Sequence, residues 1–306
     1  VGANACARSG AALAIRPKVP VRLLCALLFC ACEGSIDTAS SSHASAQTPD
    51  AAANIDAPAM MIDGPAASPD AADLCAGTLL CDDFEMYPTG GQPGGPWHTS
   101  TSQGTVTIDT TRAFSGTRSV HVTTEAGAGT YRRAYFSIEG APVFPVANDV
   151  FYGRMMVWLT AAPPETVHWT NIQGEGNVTG RNFRASVRYG GQVSKQLMAN
   201  YDTSGVASDC WQHSQTPIPE GRWACFEWKF DGPSNRQDFW LDGQSIPALT
   251  VNGMGQGCIN NGTGGVWYGP AYDAIRLGWE HYQNTAIAID MWIDDVAIAD
   301  HRIGCP

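Results

Sequence analysis

Four cations, Arg181, Arg184, Arg188 and Lys195, fall in a stretch from Gly176 to Tyr201 that contains no Asp or Glu. Cations without local counter-charges suit a carboxylate ligand, to which Arg donates two parallel hydrogen bonds. Arg184 and Arg188 share strand parity with Ser186, whereas Phe183, Ala185, Val187 and Tyr189 take the other face. A strand here would bury its apolar side and present cations on the opposite one, and a sheet face carrying them is expected to receive an anionic sugar. The competing reading is a solvated strand face whose Arg stems cover aromatic rings. Trp169, Trp211, Trp267 and Trp279 are candidates for stacking on sugar rings; one or two are expected at the surface and the others in the core.

The elements that must position these groups are strands. Period-two segments recur at Thr105–Asp109, Ser119–Thr123, Phe151–Leu159, Val167–Ile172, Phe183–Tyr189, Gln196–Tyr201, Cys225–Phe230, Gln237–Leu241, Ala274–Trp279 and Ile289–Ile298. Breakers such as Pro163-Pro164, Gly190-Gly191, Asp242-Gly243 and the glycine-rich run from Gly253 to Gly265 separate them. No amphipathic helix of three turns is present in the pattern. Many short strands without alternating helices predict an all-β, antiparallel sandwich or barrel over residues 74–306, and the length suits a jelly-roll sandwich.

The chain has 306 residues and a formal charge of −11. Its first 31 residues hold Arg8, Arg16, Lys18 and Arg22 and no acid, followed by an apolar run from Leu23. This predicts a secretion signal over 1–31, too short to span a membrane as a helix. Leu28-Phe29-Cys30-Ala31-Cys32 is similar to a bacterial lipoprotein processing box, with Cys32 as the lipidated residue. From Glu33 to Asp73 there are seven acids, no Lys or Arg, and a loose Asp-Ala-Pro refrain. Such a segment buries too little apolar area to order itself, so 32–73 is expected to be a disordered tether. The expectation is an exported protein, either secreted or a cell-surface or outer-membrane lipoprotein held to the membrane through its lipid alone, and a monomer. The remaining charge of −8 argues against nucleic acid as a partner.

Six cysteines follow Cys32: Cys75, Cys81, Cys210, Cys225, Cys258 and Cys305. An even number in an exported chain predicts disulfides, with 15 pairings open. On a loop-entropy basis, closing Cys225 to Cys305 would stabilise by roughly 4.5 kcal/mol and Cys75 to Cys81 by roughly 2. If both form, Cys210 and Cys258 remain for each other.

Eight segments, in order, resemble one family: Asp82-Asp83-Phe84-Glu85, Gly104 to Thr111, Ser115-Gly116, Val187 to Gln192, Ala224 to Trp228, Leu277 to Tyr282, Trp292 to Asp295 and Arg302 to Cys305. It is the fungal cellulose-induced protein one family, a jelly roll resembling glucuronan lyases. The resemblance implies a Cys225–Cys305 disulfide. It also implies a structural calcium ion held by Glu85, Ser115 and Asp295, with Arg118 offering at most its carbonyl. Calcium takes six to eight oxygens in adaptable geometry, and the terminal strands of a jelly roll lie side by side, which would bring these residues together. The competing reading of the same acids is solvated turn residues or strand caps.

For the anionic groove, the resemblance implies Arg188 and Gln192 as groups that neutralise a sugar carboxylate. His168 and Tyr201 match a family histidine and tyrosine and are the first candidates for proton transfer, ahead of Tyr282, His213 and Asp209; Arg184 and Glu280 complete the expected groove. A lyase acting on a uronic-acid-containing polymer abstracts the proton alpha to the carboxylate and expels the 4-linked oxygen. It therefore needs charge-neutralising donors, a base and an acid, and no organic cofactor. The family has a histidine two positions before the Arg, where this chain has Ser186. That departure supports the alternative of a non-catalytic carbohydrate-binding lipoprotein. A glycoside hydrolase is a weaker option, because no carboxylate pair stands out on one predicted sheet face.

Overall fold

The structure, a computed structural model, describes residues 75–127, 131–164 and 166–306. The expected secretion signal over 1–31, Cys32 and the tether over 32–73 lie outside the described residues.

Seventeen strands run through the described chain: β1 (Leu80–Asp82), β2 (His98–Ser102), β3 (Gly104–Asp109), β4 (Ser119–Thr124), β5 (Arg132–Glu139), β6 (Val150–Leu159), β7 (Trp169–Asn177), β8 (Arg184–Gln192), β9 (Gln196–Ser204), β10 (Ser208–Pro217), β11 (Trp223–Asp231), β12 (Arg236–Leu241), β13 (Gln244–Ser245), β14 (Val251–Asn252), β15 (Gly257–Asn261), β16 (Ala271–His281) and β17 (Ile289–Ala299). They form two antiparallel sheets. One has the order β13-β12-β11-β6-β17-β4-β3, with β1 added to β17 and β14 to β12; the other has the order β15-β10-β9-β8-β7-β16-β5-β2. The fold is the expected jelly-roll sandwich, and helix is confined among the described residues to the short turns Ala147–Asp149 and Pro247–Leu249.

Alternation decides which side chains meet between the sheets. On β8, Ala185, Val187 and Tyr189 are buried while Arg184, Ser186 and Arg188 face away from the core. Tyr189 stacks on Phe230 of the facing sheet at 5.8 Å, and Trp169 stacks on Trp279 at 5.3 Å. Beneath the second sheet these rings form a stiff aromatic floor. Strand β10 escaped the period-two reading because Ser208, Cys210 and Ser214 fill its inward positions, so burial there is not matched by hydrophobicity.

All six cysteines are paired: Cys75–Cys81, Cys210–Cys258 and Cys225–Cys305. The second bond joins β10 to the edge strand β15 where their register shifts, and Ile259, the extra residue, is left 74% exposed beside it.

Candidate active site

The outward face of the second sheet carries a cleft of about 310 Å³ across β8, β9 and β10, bordered by Ile259 of β15, His168 just before β7 and Tyr282 just after β16. Its floor is one cross-strand row in which Gln173 pairs with Arg188, Arg188 with Asn200, and Asn200 with Trp211. Arg188 lies at the centre. Its Nε donates to Gln173 Oε1 at 2.6 Å, and its Nη1 donates to Asn200 Oδ1 at 3.3 Å and to the Tyr282 hydroxyl at 3.2 Å. Nη2 lies 3.2 Å from Asp202 Oδ2. The side chain is 11% exposed, so the guanidinium is held rigidly with one edge toward the cleft.

A β-bulge aims His168 at this centre. Trp169 and Ile172 are both in the core although three residues apart, which strict alternation forbids. Asn171 is the extra residue, at the register shift between β7 and β8. Its side chain accepts the Trp169 indole N–H at 3.2 Å and donates to the Gly278 carbonyl at 3.2 Å. The bulge turns His168 to the outward face, where its ring lies 5.1 Å from that of Tyr282. His168 Nε2 is buried and has no hydrogen-bond partner. Burial, reinforced by the charges of Arg188 and His213, pushes the imidazole down to about 3. It is therefore neutral near pH 7. Burial pushes the Tyr282 phenol up to about 12, so it stays protonated as a donor.

Arg188, Gln192, His168, Tyr282 and Asp209 thus share one cleft. His213 is on the adjoining row, paired with Met198, close enough for its charge to act on His168. Tyr201 is elsewhere. It is fully buried on the core side of β9, stacked on Trp267 at 5.6 Å, and its hydroxyl accepts the Tyr268 amide at 3.1 Å. Its parity with Leu197 and Ala199, both buried, puts it there. Arg184 is also outside, in a bidentate pair with Asp273 at 2.7 and 2.6 Å. Glu280 sits across from Arg133 and Thr170 at the margin. Of the four tryptophans, Trp169, Trp267 and Trp279 are core and Trp211 lines the cleft.

The acid-free stretch does not make a basic surface. Arg184 meets Asp273, Lys195 meets Glu220 at 2.8 Å, and Arg188 meets Asp202. Arg181 lies over the Tyr268 ring and donates to its hydroxyl. The counter-charges come from elsewhere in the chain, and Asp202 stands just past the end of the stretch. Sequence reasoning missed Asn200, Asp202 and Gln173. Once Tyr201 is assigned to the core, alternation alone turns Asn200 and Asp202 outward.

At the other end of the fold, β1 pairs with β17 and brings the Asp83–Glu85 turn beside Asp295. Ser115 Oγ donates to Asp295 Oδ1 at 2.7 Å, and Asp294 accepts the amides of Phe114 and Ser115. Glu85 accepts the amides of Thr117 and Arg118 at 2.7 and 2.6 Å. This cap requires glycine at 116, where a Cβ would lie 2.5 Å from Glu85 Oε1. Asp295 Oδ2 is buried without a partner. Burial pushes the Asp295 carboxyl up, as do the charges of Asp83 and Glu85, while Ser115 and Arg154 oppose the shift. A bare buried carboxylate oxygen beside the Ser115 hydroxyl, within reach of the charges of Asp83 and Glu85, is the kind of donor a hard cation takes.

Comparison with known proteins bears on the family and the fold. The Cip1-like core-domain model of the polysaccharide-lyase-like family matches residues 95–301. The solved structure of a cellulose-induced protein, Cip1, is 26% identical with a TM-score of 0.53, covering 74% of this chain and 100% of its own. An endo-β-1,4-glucuronan lyase from the fungus Trichoderma reesei is 14% identical with a TM-score of 0.50, covering 70% of this chain and 94% of its own, a likeness of fold. No curated protein matches. The matched span takes in Arg188, His168 and Tyr282, and the chain belongs to the Cip1-like family of polysaccharide-lyase-like proteins.

Proposed function

We propose that the protein is a polysaccharide lyase that cleaves a uronic-acid-containing glycan by β-elimination in the Arg188 cleft. The observation that carries this is the convergence of a fixed guanidinium, a neutral histidine whose Nε2 has no hydrogen-bond partner and a protonated phenol in one cleft. Arg188 and Gln192 donate to the uronate carboxylate and stabilise the charge that grows on it as the neighbouring C–H bond breaks. His168 Nε2 takes that proton. The electron pair forms the ring double bond, the bond to the 4-linked oxygen breaks, and Tyr282 gives its proton to the departing oxygen. A bound carboxylate offsets the Arg188 charge that helps to depress His168, making the imidazole a stronger base when substrate is present.

Incubating the purified domain with uronate-containing glycans and following the ultraviolet absorbance of the unsaturated product tests the proposal. A flat trace across a broad panel, with calcium present, would overturn it. Glycan binding without cleavage is the second reading. Ser186 in place of the family's histidine favours it, as does the full engagement of Arg188 with Gln173, Asn200, Tyr282 and Asp202. Replacing Arg188 by Ala separates the two: a binder loses affinity alone, a lyase loses turnover as well.

Two further elements belong to this proposal. Asp295 and Ser115, with Glu85 behind them, hold a structural Ca²⁺ that fastens the first strand to the last. The protein works outside the cell, exported and tethered through Cys32.

A further inference from the structure

We infer that the cleft takes an isolated uronate flanked by neutral sugars, and disfavours a run of consecutive uronates; this rests on the cleft being a uronate site as proposed above. The charged residues lining it among the described residues are Arg188, Asp202 and Asp209, one cation against two carboxylates. A single sugar carboxylate can be matched by Arg188, sharing the guanidinium with Asp202. A second finds no further cation among the residues lining the cleft, and three cations on neighbouring strands are ion-paired. Arg184 is held by Asp273, Lys195 by Glu220, and Arg276 by Glu175 at 2.6 Å. Arg133, across from Glu280, is not among the residues lining the cleft.

Register shows where the repulsion falls. Residues two apart on a strand advance about 6.8 Å, so the row next to Arg188, in which Ser186 pairs with Asp202 and Asp202 with Asp209, lies under a neighbouring sugar. Both its acids face the cleft. Asp209 accepts the Asn200 amide at 3.1 Å, which fixes it in that position. A neighbouring uronate would bring its carboxylate against this row, where the one lining cation, Arg188, is already shared between Asp202 and the first uronate.

The walls suit neutral rings. Ile259 is 74% exposed and Tyr131 53% exposed, and both line the cleft with Trp211. The bulge beside the Cys210–Cys258 bond is what pushes Ile259 out. Large apolar side chains displayed around a charged centre offer contact to the C–H faces of uncharged sugars.

The test is titration calorimetry of the purified domain with three polymers: a 4-linked uronate homopolymer, a polymer alternating uronate with a neutral or N-acetylated hexose, and a neutral polymer. Product absorbance is read in parallel. The alternating polymer should bind about tenfold or more tighter than the homopolymer at low salt. Added salt and the Asp209→Asn variant should both narrow the gap by improving the homopolymer. Homopolymer binding as tight as the alternating polymer at low salt would overturn the inference, as would tightest binding of the neutral polymer or binding of none. The two proposals fail separately. Preference for the alternating polymer without product would remove the lyase chemistry and leave this inference standing; preferential cleavage of the homopolymer would do the reverse.

Discussion

Acidification should cost this domain stability through His168, and glutamine in its place should restore part of the loss. The imidazole is pushed down to about 3 in the fold and returns to its ordinary 6.5 in the unfolded chain. Above pH 6.5 it is neutral in both states and the contribution is fully present. As the pH falls, the unfolded chain takes up the proton first, so stability drains away between 6.5 and 3. Linkage gives a loss of about 3 kcal/mol at pH 4.5 from this group. His281, buried and pushed down to about 4, adds a second loss of similar sign, so the informative quantity is a difference between proteins. Urea unfolding followed by tryptophan fluorescence at pH 7.5 and pH 4.5, on the parent and His168→Gln, supplies it. The variant should lose about 3 kcal/mol less than the parent between the two pH values. Equal losses, within about 0.5 kcal/mol, would mean that His168 is charged or solvated in the fold, and the neutral base would go with it.

Arg188→Ala should lower kcat/KM for glycan turnover by about 10²- to 10³-fold, whereas Arg184→Ala should leave it within a factor of about two, since Arg184 is tied to Asp273 outside the cleft; steady-state kinetics on both variants checks this. Tyr282→Phe should lower kcat by about 10²-fold or more. Tyr201→Phe should leave kcat unchanged and cost about 1 kcal/mol in urea unfolding, by stranding the Tyr268 amide. Saturating Ca²⁺ should raise Tm by several degrees over chelator-treated protein, equivalent to about 2.7 kcal/mol at a hundredfold excess over Kd, and Ser115→Ala should reduce the shift; identical melting curves would rule out the calcium site.

The sandwich was legible because core-facing positions on strands such as β6, β8 and β17 are apolar, so periodicity and burial coincide. Where they part, the reading failed. Strand β10 buries Ser208, Cys210 and Ser214, small residues that leave no apolar alternation. The disulfides followed from cysteine number, loop entropy and family likeness together, and Arg188 and Gln192 from position in a matched motif. Tyr201 was misplaced because the family match was set above its own parity, which already grouped it with Leu197 and Ala199. His168 could not be placed by parity at all, since the bulge at Asn171 flips every residue before it. The apparent basic face was a property of a sequence window. Electrostatics is set by neighbours in space, and the acids that cancel Arg184, Lys195 and Arg188 come from β16, the turn before β11 and the next residue of β9.

A crystal structure of the domain with a bound uronate-containing oligosaccharide is the most direct measurement. The sugar carboxylate should lie within hydrogen-bond distance of Arg188 and Gln192, with the adjacent C–H facing His168 Nε2 and the 4-linked oxygen near the Tyr282 hydroxyl. An oligosaccharide seated on another face, or one lying in the cleft with its carboxylate turned to solvent and away from Arg188, would contradict it.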